Sequence, residues 1–169
     1  MKNLKTLSIL FLSVLIISCS KKDDDSEASA PAASFTGILN GGPFSTYTAK
    51  LGSYSTEPTV GLTLAVIDAN GNTLRFFMNQ TGGLSAGVVK EIGNVDADGF
   101  VTSALVHHSD SQTTFYASDG NITISENRAT PGEEDSNIIS GSFTLTLNDN
   151  VGTTVTLNGT FNNFEYSTN

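Results

Sequence analysis

The chain has 169 residues, 38% of them hydrophobic, with no tryptophan, one cysteine and a formal net charge of −9 at pH 7. That length suits one domain, and the acidic balance makes nucleic acid and anionic headgroups poor partners while leaving cations, basic proteins and neutral molecules open. A lone cysteine rules out an internal disulfide.

Lys2 and Lys5 precede an apolar run from Leu7 to Ile17 that only Ser8 and Ser13 interrupt, the layout of a secretory leader. A bilayer span needs about 20 apolar residues, and this run is too short for one. It ends in Ile16-Ile17-Ser18-Cys19, which resembles the lipobox of bacterial lipoproteins. The resemblance implies that residues 1–18 are a signal peptide cut before Cys19, that the Cys19 thiol is diacylated, and that the new amine is acylated as well. Two or three acyl chains make a stable anchor where one is marginal. Cleavage would leave 169 − 18 = 151 residues and, with Lys2 and Lys5 gone, a net charge of 6 − 17 = −11.

Ser20-Lys21-Lys22-Asp23-Asp24-Asp25 comes next, a solvated charge run by composition. Within it Lys22, Asp23 and Asp24 resemble the surface-export signal of Bacteroidota lipoproteins. That implies an outer-membrane anchor with the domain at the cell surface; the periplasmic face is the alternative. Residues 19–34 lack large apolar side chains after the cysteine and read as a flexible tether that holds a domain of residues 35–169 some 20 Å off the membrane.

From Phe35 onward the pattern is that of strands. Val60, Leu62, Leu64 and Val66 alternate with Gly61, Thr63, Ala65 and Ile67, Asn70-Gly71 follows, and Leu74, Phe76 and Met78 alternate again, which predicts a hairpin over 59–68 and 72–79. Phe143, Leu145 and Leu147 repeat the alternation, Asn148-Asp149-Asn150 turns, and Val155, Leu157 and Phe161 share a face with Gly159. Shorter strands are predicted over 35–40, 45–52, 100–107, 112–117 and 121–126. Leu84, Val88 and Ile92 fall four apart and predict one short helix over 84–92. The fold class is therefore all-β: an antiparallel β-sandwich or flattened β-barrel of about nine or ten strands, with a calycin-like up-and-down barrel, able to carry an apolar ligand, as the alternative. Asn40-Gly41-Gly42-Pro43-Phe44, Ser140-Gly141-Ser142-Phe143 and Asn158-Gly159-Thr160-Phe161 resemble the pattern of small uncharacterised Bacteroidota lipoproteins, a resemblance that covers most of residues 35–166 and implies no activity.

Chemistry-bearing residues are few. His107-His108 are adjacent, so on a strand they point to opposite faces and cannot ligate one metal together. Asp68-Ala-Asn70-Gly71-Asn72 and Asp96-Ala-Asp98-Gly99 supply oxygens at alternate positions, as calcium loops do, but Asp, Asn and Gly in that order also make turns. Asp96, Asp98, Glu133, Glu134 and Asp135 are the weak calcium candidates, the last three in a loop over 127–137. Gly82-Gly83 and Gly87 lack the Lys-Ser/Thr of a phosphate cradle. Tyr47, Tyr54, Tyr116 and Tyr166 are the aromatic groups open to sugar stacking, and the phenylalanines read as core. No catalytic grouping and no cofactor are expected. The function expected is a non-enzymatic binding module for a glycan, protein or small molecule, with a structural or adhesive envelope protein as the alternative and a glycan-active hydrolase third.

Overall fold

The computed structural model describes residues 30–168. Nine strands follow in chain order: β1 Ser34–Asn40, β2 Thr46–Pro58, β3 Gly61–Asp68, β4 Thr73–Asn79, β5 Val89–Glu91, β6 Ser103–His108, β7 Thr113–Ala129, β8 Ser136–Asn148 and β9 Thr154–Ser167. Each pairs antiparallel with its neighbour around a closed circuit of eight, β1-β2-β3-β4-β6-β7-β8-β9, and β9 returns to β1. The barrel, and in its up-and-down form, is what the alternation builds. β5 is an extra short strand on the same edge of β7 that β6 uses: Lys90 lies opposite Ile122, whereas Leu105 lies opposite Tyr116. The predicted strands 112–117 and 121–126 are one, the long β7, bent by irregularities in its pairing with β8.

The predicted helix over 84–92 does not form. Gly87 N–H donates to the carbonyl of Ile124, and Ile124 N–H to the carbonyl of Val88, so this backbone is spent on β7 rather than on itself. Leu84, Val88 and Ile92 are anchors, partly buried against the core from a looped segment. Their period of four was a spacing of contacts.

Inward positions fill the barrel. Phe35, Phe76 and Phe143 come from β1, β4 and β8, well separated around the wall, yet the rings of Phe35 and Phe143 stack at 5.5 Å and those of Phe76 and Phe143 lie 4.9 Å apart. They meet across the axis, where a ligand-carrying barrel would hold its ligand. Two glycines make room for such rings. In the β8–β9 register Gly141 lies opposite Phe161 and Phe143 opposite Gly159, so the two Gly-x-Phe stretches pair reciprocally. A Cβ on Gly141 would sit 2.5 Å from Phe161 Cζ, and one on Gly159 2.8 Å from Phe143 Cζ. Each ring covers the glycine across from it.

The chain enters the barrel at the end that also carries the β2–β3 turn, residues 80–102, residues 130–135 and the end of β9. The far end carries a 3₁₀ turn, Gly42–Phe44, whose buried Phe44 meets His108 edge-on at 4.9 Å.

Candidate functional site

β5 and β6 run in the same direction along β7, and residues 93–102 between them fold outward as a small hairpin at the entry end. Gly93 N–H donates to the Thr102 carbonyl and Thr102 N–H to that of Asn94, both at 2.9 Å, and Val95 bridges Val101. Its base rests on buried Asn79, the last residue of β4. The Asn79 side-chain amide donates to the carbonyls of both Asn94 and Phe100 at 2.9 Å, its Oδ1 accepts from Thr81 N–H, and its own N–H reaches Thr102 Oγ1. Every polar group of that side chain is used.

Lys90 completes the support. It projects from β5 into the wall, where its ammonium donates to the Asn79 carbonyl at 2.7 Å and the Thr81 carbonyl at 2.6 Å. β5 pairs with β7 and not with the end of β4, and there a side chain spans the gap that backbone pairing leaves. Burial holds the Lys90 pKa below its ordinary value, and the charge of Asp96 partly offsets that. The alternation Val88, Lys90, Ile92 carried the signal for an inward lysine, and Asn79 had none beyond its place at a strand end.

At the hairpin tip, Asp96 Oδ1 accepts from the N–H groups of Asp98 at 3.0 Å and Phe100 at 2.9 Å, and Oδ2 from Gln80 N–H at 3.3 Å. Burial works against its charge, yet backbone N–H groups led by those of Phe100 and Gln80 hold its pKa below the usual carboxylate value. The aspartate therefore makes a turn. Asp98 offers its backbone to that turn, and Glu133, Glu134 and Asp135 occupy the loop 130–135, exposed and apart from it. Among the described residues no three His, Cys, Asp or Glu side chains converge as a metal site.

With the polar groups committed inward, the hairpin turns apolar side chains outward: Val95 is 56% exposed, Val101 42% and Phe100 36%. Val60, in the β2–β3 turn between Thr59 and Gly61, is exposed too, and Gly61 pairs with Asn79 beneath the hairpin. Beside this ridge lies a cleft of about 390 Å³ walled by Pro58, Leu84 and Tyr166 and edged by Thr59 and Gln80. The Tyr166 hydroxyl is fixed by Asn127 at 2.9 Å, and the same amide nitrogen donates to the Leu84 carbonyl.

Neither a protein-family model, nor a curated protein, nor a solved structure matches the chain.

The other sequence candidates are placed elsewhere. Asp68 is buried at the far end, where Oδ1 accepts from Asn70 and Asn72 N–H and Oδ2 from the Tyr47 hydroxyl at 2.8 Å and the Asn72 amide at 3.0 Å. It too makes a turn. His107 contacts Thr114, while His108 accepts from Ser111 N–H through Nδ1, two separate environments as adjacent strand positions require. Tyr54 stacks on Phe164 at 4.3 Å, and of the four tyrosines only Tyr116 is freely exposed, at 52%. Cys19, Lys22, Asp23 and Asp24 lie outside the described residues.

Proposed function

We propose that the protein is a binding module that engages a partner protein through the hairpin 93–102 and the adjoining cleft, and that it acts from the outer membrane at the cell surface, anchored by lipid on Cys19. The carrying observation is the apolar ridge of Val95, Phe100 and Val101, held out rigidly by buried Asn79 and Lys90. Exposed apolar side chains on a fixed element are costly in water and suit a surface that is covered in use. The polar groups of this region are taken up in holding the hairpin, which supports binding rather than catalysis. The anchor and the address rest on the leader resemblance and on Lys22-Asp23-Asp24.

A photo-crosslinking amino acid at position 100 of the full chain, in cells, tests the reading. A discrete adduct is expected from position 100 and not from position 158 on the opposite wall, and Val95→Ser with Val101→Ser should abolish it. Absence of any discrete adduct from positions 95, 100 and 101 overturns the proposal.

A further inference from the structure

The outer surface of the barrel has two unlike walls. Over β8 and β9 the outward residues are hydroxyls and amides: Ser142, Thr144 and Thr146 lie opposite Thr160, Asn158 and Thr156. Such a wall is at ease in water. Over β3, β4, β6 and the start of β7 the register instead sets Ala65, Arg75, Leu105 and Tyr116 side by side in one outward row, with Phe77 flanking Arg75 along β4. A groove of about 320 Å³ runs there, lined by Arg75, Phe77, Leu105 and Tyr116. That is the size of a pocket for a small ring compound.

Arg75 gives the groove its chemistry. Among the described cations Lys90 is buried and Arg128 is paired with Glu126 at 2.6 Å, which leaves Lys50 and Arg75 exposed. Arg75 makes no ion pair with another described residue. Its registered neighbours Ala65 and Leu105 are apolar, so no acid across the ladder competes for the guanidinium. A planar fork of N–H donors in apolar company matches a carboxylate in bidentate fashion. Tyr116 stands one strand beyond Leu105, about 10 Å from Arg75 at two strand spacings, with an exposed ring face for a flat partner.

We propose that this wall binds a carboxylate carried on a six-membered ring, with the carboxylate on Arg75 and the ring over Leu105 against Tyr116. The site is independent of the hairpin, which lies at the barrel end. Acidic sugars and aromatic acids share this chemistry, and glucuronate and benzoate separate them as probes, with glucose and benzyl alcohol as the uncharged controls.

The experiment is a titration of the full chain in detergent, followed by nuclear magnetic resonance at the Arg75 Nε–H, the Leu105 methyls and the Tyr116 ring. The acid probes are expected to shift these signals while the controls leave them in place. Arg75→Gln should weaken the response at least about tenfold, and Arg75→Lys should retain part of it. A response to glucuronate alone assigns the groove to acidic sugars, and one to benzoate alone assigns it to aromatic acids. Both support the site. Silence with both acids, equal response to the controls, or a response untouched by Arg75→Gln in a variant that melts like the parent overturns it.

Discussion

Lys90 shows how one side chain can stand in for a stretch of sheet. Its ammonium is buried with no described carboxylate at contact distance and relies on two carbonyl oxygens, so both partners lose if it goes. Lys90→Met keeps the stem and removes the donors; it is expected to cost roughly 2–4 kcal/mol in urea unfolding, because two buried carbonyls are left without their charged partner. The gap between parent and variant should also depend on pH. An unfolded lysine titrates near 10.5, and the folded one gives up its proton earlier, so between the two values the unfolded chain holds more protons and the parent gains stability as pH rises. Below the folded value the cost of burying the charge is carried in full. A gap that stays constant from neutral pH up to that of free lysine would contradict this account.

Among elements, the β8–β9 pair explains two of the three Gly-x-Phe stretches. The stretches at 141–143 and 159–161 run antiparallel, so each phenylalanine faces the other's glycine, and neither could be enlarged alone. Gly141→Ala is expected to destabilise by about 1–3 kcal/mol, since the new methyl meets both Phe161 and the Thr123 carbonyl. Ser142→Ala, between them and facing out, should stay within about 0.5 kcal/mol. Chemical denaturation of the two variants side by side decides the matter. Strand positions of this kind were legible because alternation writes the inward face directly, as at Leu62, Leu64, Val66 and Leu74, Phe76, Met78. The segment 84–92 was not, because three apolar anchors on a loop carry the same spacing as one face of a helix. The candidate site was harder still. Asn79 and Lys90 act through backbone carbonyls that belong to residues distant in sequence, and a register across three strands is needed before they meet.

At the scale of the molecule, closure of β1 onto β9 leaves no long free edge and puts the entry of the chain, the hairpin and the cleft at one end. Sequence periodicity reached the barrel as one of two readings and could not choose, since sandwich and barrel share the same alternation; the pairing of Thr36 with Thr160 across the ends of the chain is what distinguishes them. The proposed lipid anchor adds a prediction of its own. Cells fed radiolabelled palmitate should label the full chain, and Cys19→Ser should abolish the label and move the protein out of the membrane fraction; label retained by the variant would defeat the anchor reading.

The hairpin at 93–102 leaves the wall at Gly93 and returns to it at Thr102, joined there by a backbone hydrogen bond. An excursion that ends where it began makes no demand on the register of the staves either side. The side chains at 95, 100 and 101 can change while the backbone carbonyls of Asn94 and Phe100 keep their bonds to Asn79, so what the ridge recognises can be rewritten without reopening how the barrel folds.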